Sequence, residues 1–197
     1  MCIRDSDKGL GQHFLLDESV VDRSIELAFS SEPITTDSRI IEIGPGAGSL
    51  TLGLLRTAAP VTAFEVDQEA TSHLARVFKG ADGRLEVVNE DALLADWPRD
   101  ATHVVANIPY QISSPLLERI QKHHSQHPLT SVVLLLQDEF AERMKINRND
   151  TASGPLSLSL WLDFDVELDA KVPPHCFSPA PRAVSYTHLT LPTICSV

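Results

Sequence analysis

The sequence predicts an α/β domain built on an open sheet, and three observations lead there. Short apolar runs at 39–43, 61–66, 85–88, 103–106 and 132–137 alternate with stretches of helical period. The first run breaks into a glycine-rich turn, Gly44-Pro45-Gly46-Ala47-Gly48. Polar groups able to hold a ligand follow other runs: Glu65, Asp91 and Asn107. In an open α/β sheet, ligands sit outside the carboxyl ends of the strands, where these residues project.

Taken in order, the chain starts with a glycine-punctuated lead-in, Lys8-Gly9-Leu10-Gly11-Gln12-His13-Phe14-Leu15. Asp17 is placed to cap a helix in which Val20, Val21, Ile25 and Ala28 recur at helical spacing. Arg39–Ile43 reads as a buried strand and Ser49–Arg56 as the helix after the turn, with Gly44 and Gly46 letting backbone approach a ligand. Val61–Asp67 is the second strand. Its Glu65 stands about 20 residues past the first glycine, the spacing at which a carboxylate takes ribose hydroxyls. A dinucleotide fingerprint needs Gly-x-Gly-x-x-Gly; here Gly48 comes one residue early and Ser49 takes the expected place, which favours a ligand without a pyrophosphate.

Gln68–Phe78 is a helix and Leu85–Val88 a third strand. Asp91 then stands at a strand end, either accepting from an adenine amino group or capping a helix. The fourth run, His103–Ala106, feeds Asn107-Ile108-Pro109-Tyr110. The Asn107 amide can accept from an amino group on a flat ring, Tyr110 can stack on that ring, and Pro109 fixes the backbone between them. That describes a pocket for the exocyclic amine of a nucleobase, although an ordinary strand-to-helix turn closed by proline has the same composition. Ser113 or Ser114 caps a helix through Leu116, Leu117 and Ile120, with Pro115 in its first turn. The cluster His123-His124-x-x-His127 reads as a solvated helix end and not a metal site, because no carboxylate or cysteine accompanies it. Val132–Gln137 is a fifth strand, Asp138–Met144 a charged helix and 147–154 a mobile loop. The stretch Leu156–Asp169 suits a sixth strand, and 172–182 a rigid proline-rich loop presenting Phe177.

Composition bounds these readings. A length of 197 residues with 43% hydrophobic side chains suits one domain with a proper core. No apolar run approaches the roughly 18 residues of a membrane span, and no signal-peptide pattern opens the chain, so a cytoplasmic protein is expected. With 16 Lys and Arg against 27 Asp and Glu the net charge is −11, which argues against a surface that coats phosphate backbones.

The two ends read differently. Met1-Cys2-Ile3-Arg4-Asp5 can be encoded by ATGTGTATAAGAGAC, and the reverse complement of that string reads through Val184-Ser185-Tyr186-Thr187-His188. One DNA element in two orientations, like a sequencing-library adaptor, accounts for both. Residues 1–6 and 184–197 are therefore expected to be non-native ends around a truncated domain at 7–183. Cys2 and Cys195 go with those ends, and Cys176 alone supports neither a disulfide framework nor a cysteine metal site.

Six stretches together resemble the ribosomal RNA adenine N6-dimethyltransferases: 11–15, 42–46, 65–67, 91–93, 107–110 and 177–182. The resemblance implies a Rossmann-like sheet with helices on both faces that uses S-adenosylmethionine and no metal. It places His13 and Leu15 beside the methionine part of that cofactor, Gly44 and Gly46 in its loop, Glu65 on its ribose and Asp91 on its adenine amine. Asn107 lies beside the transferred methyl, Pro109 holds the motif, and Tyr110 and Phe177 stack the target base. The implied substrate is small-subunit ribosomal RNA within the pre-ribosomal subunit, dimethylated on two adjacent adenines by a monomer. The family's last strand and C-terminal helical domain are expected to be missing. Alternatives remain: a large-subunit enzyme conferring antibiotic resistance, an RNA-binding assembly factor with secondary catalysis, or a nicotinamide oxidoreductase.

Overall fold

The computed structural model describes residues 14–30, 32–81, 83–144, 154–180 and 185–190. Strand β1 (Phe14–Leu15) leads into α1 (Glu18–Ala28), which Asp17 caps by accepting from the Ser19 amide at 2.9 Å. Strands β2 (Ile40–Ile43), β3 (Val61–Phe64) and β4 (Leu85–Val88) follow, separated by α2 (Ser49–Leu54) and α3 (Gln68–Val77). The chain then crosses to β5 (His103–Asn107), a 3-10 turn at Tyr110–Ile112, α4 (Ser113–His124) and β6 (Ser131–Gln137). Helices α5 (Asp138–Glu142) and α6 (Pro155–Asp163) precede β7 (Glu167–Val172), β8 (Phe177–Ser178) and β9 (Ser185–Thr190).

The main sheet has the order β4-β3-β2-β5-β6-β9-β7, parallel from β4 to β6, with β9 antiparallel to both neighbours. Order reverses between β2 and β5, so the connections leaving their carboxyl ends diverge and open a crevice there. Alternation along each strand divides the core in two. Val104, Ala106, Val132, Leu134 and Leu136 pack with Trp97, Leu116, Leu117, Ile120 and Phe164 on one face. Ile40, Val61, Val105, Val133 and Leu135 pack with Val20, Val21, Leu50 and Leu54 on the other.

Four expectations are corrected. Leu156–Asp169 is not one strand: residues 155–163 are α6, with Gly154 as N-cap and Pro155 in the first turn, and strand begins at Glu167. The alternation in Trp161-Leu162-Asp163-Phe164-Asp165-Val166 mimicked a period of two. Leu160 is buried but Leu158 and Leu162 are exposed, and Gln121 of α4 ties the helix down by donating to Ser159 and Asp163. The α4 helix continues directly from the 3-10 turn, with Ile112 as its N-cap and no side-chain cap bond, so Ser113 and Ser114 lie inside it. His123 is buried between Trp97 and His127 instead of solvated, and among the described residues no metal-binding group of His, Cys, Asp and Glu occurs. Finally, the sheet does not lack a strand between β6 and β7, because Ser185–Thr190 occupies that slot. Main-chain groups carry strand pairing, and a stretch with Thr and Tyr has the propensity to fill it. Most of the expected loop at 147–154 lies outside the described residues, as does His13. No helix among the described residues is long and apolar enough to cross a membrane.

Candidate active site

The crevice at the β2–β5 switch holds a cavity of about 220 Å³. One wall comes from the glycine turn and the ends of β3 and β4, with Gly44, Gly46, Glu65, Val66, Glu90 and Asp91. The facing wall comes from the end of β5, with Asn107, Ile108, Pro109, Gln111 and Ile112. Phe14 and Leu15 close one side. Five sequence motifs separated by up to about ninety residues thus meet in one space, because parallel strands deliver their ends to the same edge.

Glu65 is the most firmly held of the candidates. It is buried, its Oε2 accepts from the Gly46 amide at 3.1 Å, and its Oε1 accepts from the Asp67 amide at 3.0 Å. Its backbone is fixed as well, with the Glu65 amide donating to Val88 at 3.0 Å and Asn89 Nδ2 donating to the Glu65 carbonyl at 2.8 Å. Asp67, two residues on, caps α3 through the Glu69 amide at 2.8 Å and so does different work from Glu65. Gly46 sits at φ +54, where an L side chain is strained, and a Cβ there would lie 2.8 Å from Phe14 Cε1. The aromatic ring of the lead-in therefore rests directly on the glycine turn.

Asp91 lines the cavity but caps no helix: its Oδ1 accepts from the Leu93 amide at 2.9 Å within a turn, which corrects the helix-cap alternative. Asn107 ends β5 in register with Leu135, and the Ile108 amide donates to the Leu135 carbonyl at 3.4 Å. Pro109 Cδ lies 3.5 Å from the position of a Cβ on Gly44, so the glycine turn and the Asn107 motif are in contact. Tyr110 opens the 3-10 turn next to this wall.

Phe177 is not presented to the cavity, which corrects the expectation for it. Strand β8 pairs antiparallel with β1, Leu15 opposite Phe177 and Phe14 opposite Ser178, and this places Phe177 in the core at 4% exposure. The Leu16 amide donates to the Cys176 carbonyl at 2.8 Å, and the Cys176 thiol donates to Asp17 at 3.3 Å. The lead-in and the proline-rich segment, both expected as loops, form one clasp.

Sequence reasoning missed Phe14, Glu90, Gln111 and Glu42 as lining residues. A signal for Glu42 existed: a carboxylate inside the apolar run Ile40-Ile41-Glu42-Ile43 demands a reason. Among the described lining residues there are four carboxylates, Glu42, Glu65, Glu90 and Asp91, and no Lys, Arg or His. Such a cavity attracts a cationic ligand and repels a pyrophosphate.

A family model described as ribosomal RNA adenine dimethylase matches residues 4–187. The chain is 40% identical over 180 residues to ribosomal RNA small subunit methyltransferase A of Gloeobacter violaceus, covering 90% of this chain and 64% of that protein. Among solved structures, a dimethyladenosine transferase from Plasmodium falciparum aligns with a TM-score of 0.80 at 31% identity, over 92% of this chain and 64% of that one. The 23S rRNA methyltransferase ErmE aligns with a TM-score of 0.79 at 28% identity, over 93% of this chain and 70% of that one. The chain thus spans a little under two thirds of the length of the curated relative it matches. Fold, cavity and sequence agree, and the chain belongs to the ribosomal RNA adenine dimethylase family.

Proposed function

We propose that this chain is the catalytic domain of an enzyme that transfers methyl groups from S-adenosylmethionine to N6 of adenines in small-subunit ribosomal RNA. The observation that carries the reading is the facing of two walls: Glu65 and Asp91 on one, Asn107-Ile108-Pro109 on the other, across a single acidic cavity. The residues fit the cofactor. Two nucleoside-type acceptors stand on one wall, glycine backbone lies beneath, and buried acidic side chains match a ligand carrying positive charge. A nicotinamide dinucleotide would bring its pyrophosphate against those carboxylates, which disfavours the oxidoreductase alternative.

When bound, the cofactor supplies a methyl on a sulfonium centre that needs no further activation. The protein's task is to position and desolvate the attacking nitrogen. Glu65, held by two backbone amides, receives the ribose hydroxyls without reorganising, and Asp91 receives the adenine amine through the oxygen not used by Leu93. The Asn107 side-chain oxygen accepts from the substrate N6–H, and the Ile108 carbonyl is the candidate second acceptor. Together they favour a pyramidal nitrogen whose lone pair points at the methyl. Pro109 keeps this pair of acceptors in place, and Tyr110 stacks the base after it leaves its helix. Orientation for in-line displacement supplies much of the rate, and the methylated amine gives its proton to solvent. His13 and Leu15 border the methionine end in this reading. Phe177 supports the site from behind Leu15 and does not touch the base.

The relatives' names favour the small subunit, whereas the similar fit of ErmE keeps a large-subunit substrate as the alternative. The reading is of a monomer that acts in the cytoplasm on its ribosomal RNA substrate. The decisive assay is transfer from labelled S-adenosylmethionine to unmethylated small-subunit particles, with large-subunit RNA alongside. It is run on this chain and on the chain extended to its relatives' length. Dimethyladenine in small-subunit RNA is expected; label only in large-subunit RNA would move the protein to the other substrate, and cofactor binding without transfer to either would overturn the substrate assignment.

A further inference from the structure

Glu42 stands at the centre of the sheet, opposite Ala63 on β3 and Val105 on β5, with 0% exposure. The one hydrogen-bonding group close to its carboxyl is Thr51 of α2, and neither the two carboxyl oxygens nor the Thr51 hydroxyl completes a bond of ordinary geometry among the described residues. A buried, unpartnered carboxylate is among the costliest groups a core can hold, so its presence in a cavity wall calls for a ligand. Other acids of the site are already engaged or wet: Glu65 accepts two backbone amides, Asp91 accepts from Leu93, and Glu90 is exposed.

We propose that Glu42 is the counter-charge for the cationic cofactor, a neutral acid in the free protein that ionises when a cation enters the cavity. This rests on the reading of the cavity as an S-adenosylmethionine site. Burial, with the Glu65 carboxylate adding to it and Thr51 working against it, raises the Glu42 carboxyl to about 8. The groups that act on it are Thr51 from α2 and Glu65 from the end of β3, and the other acids lining the cavity are Glu90 and Asp91 from the segment after β4. No cationic side chain among the described lining residues is available to hold Glu42 as an anion. A positive ligand in this low-dielectric wall reverses the balance, because an opposite charge within a few ångströms favours the ionised form. In the step itself the carboxyl O–H bond breaks, its proton leaves to the buffer, and the carboxylate left behind neutralises the cation.

The linkage has a definite sign. Glu42 has its high pKa in the free state and a lower one in the complex, so binding releases a proton below about pH 8. Affinity then rises with pH up to that point and levels off above it. Calorimetric titration of S-adenosylmethionine into the protein at pH 7, in phosphate and in Tris, reads the proton release directly from the difference in heats. Close to one proton per site is expected, together with a Kd roughly tenfold tighter at pH 7 than at pH 6. Glu42→Gln, which cannot ionise, should release none at this site and show a flat Kd across that interval. Buffer-independent heats in the wild-type protein would overturn the proposal, and so would an unchanged pH slope in the variant. Should Glu42→Gln fail to fold, the wild-type proton count decides alone. Absence of cofactor binding at every pH would instead remove the cofactor reading itself, and this inference with it.

Discussion

The two flanks of the cavity are built on different principles. The flank formed by β2, β3 and β4 uses neighbouring parallel strands, and its functional side chains are fixed by bonds that reach only a short way along the chain. Glu65 is held by Gly46 and Asp67, nineteen and two residues away. The side closed by Phe14 and Leu15 depends on contacts between remote segments: β1 pairs with β8, and the adjoining α1 is tied to β7 through Arg23 and Asp169, 146 residues apart. The first flank is a template with its geometry set before any ligand arrives. The second is a clasp between segments far apart in the chain, so chain entropy is spent over long loops to close it.

The contrast can be broken in order of expected effect. Asn107→Ala removes the acceptor proposed for the substrate amine and should lower methyl transfer by on the order of 10²-fold or more. Cofactor affinity, measured by equilibrium binding, should change only a few-fold; a matching loss of both would mean that Asn107 serves the cofactor alone. Glu65→Ala strips the template flank of a charged acceptor and should weaken cofactor binding by about 10–100-fold. Titration calorimetry checks this, and unaltered affinity would detach Glu65 from the ribose role.

The clasp is tested through Phe177→Ala. A core phenylalanine truncated to alanine costs about 3–5 kcal/mol, so urea unfolding should show a clear drop in midpoint. A base-stacking residue on the surface would leave that midpoint in place while reducing only turnover. Smaller still is the acid response. Burial lowers the His103 and His123 imidazoles to about 4 each, so the unfolded chain binds protons that the folded chain refuses. Stability should therefore fall as pH drops from about 6.5 to 4, and His103→Gln should flatten part of that slope in thermal melts at graded pH. Least is expected from Arg23→Ala: its pairing with Asp169 is half exposed on the arginine side and screened by solvent, so the urea midpoint should hardly move. A larger loss would show that the α1–β7 contact holds the clasp shut.

The same division separates what was readable in the residues from what was not. Strands β2 to β6 and the chemistry at their ends were visible, because a strand buried on both faces is a continuous apolar run and its exit is marked by Gly, Pro, Asp or Asn. Glu65, Asp91 and Asn107 were found as strand-end residues and do line one cavity. The α6 segment was misread because apolar and polar residues alternate through 161–166, and only packing of Gln121 against Ser159 and Asp163 gives the helix its seat. Phe177 was expected at the surface because nothing local reveals that Leu15 is its partner.

What the sequence determined by itself was the order of buried strands and the chemical type of each group at their ends, since those depend on near neighbours and periodicity. Tertiary structure alone decided which face Glu42 turns to and that Thr51 is its one polar neighbour among the described residues of α2, that Phe14 lies on Gly46, and that Ser185–Thr190 completes the sheet. Each of these is a contact between separate elements of the chain, set by the closing of the sheet and the exclusion of water, and no local preference encodes it.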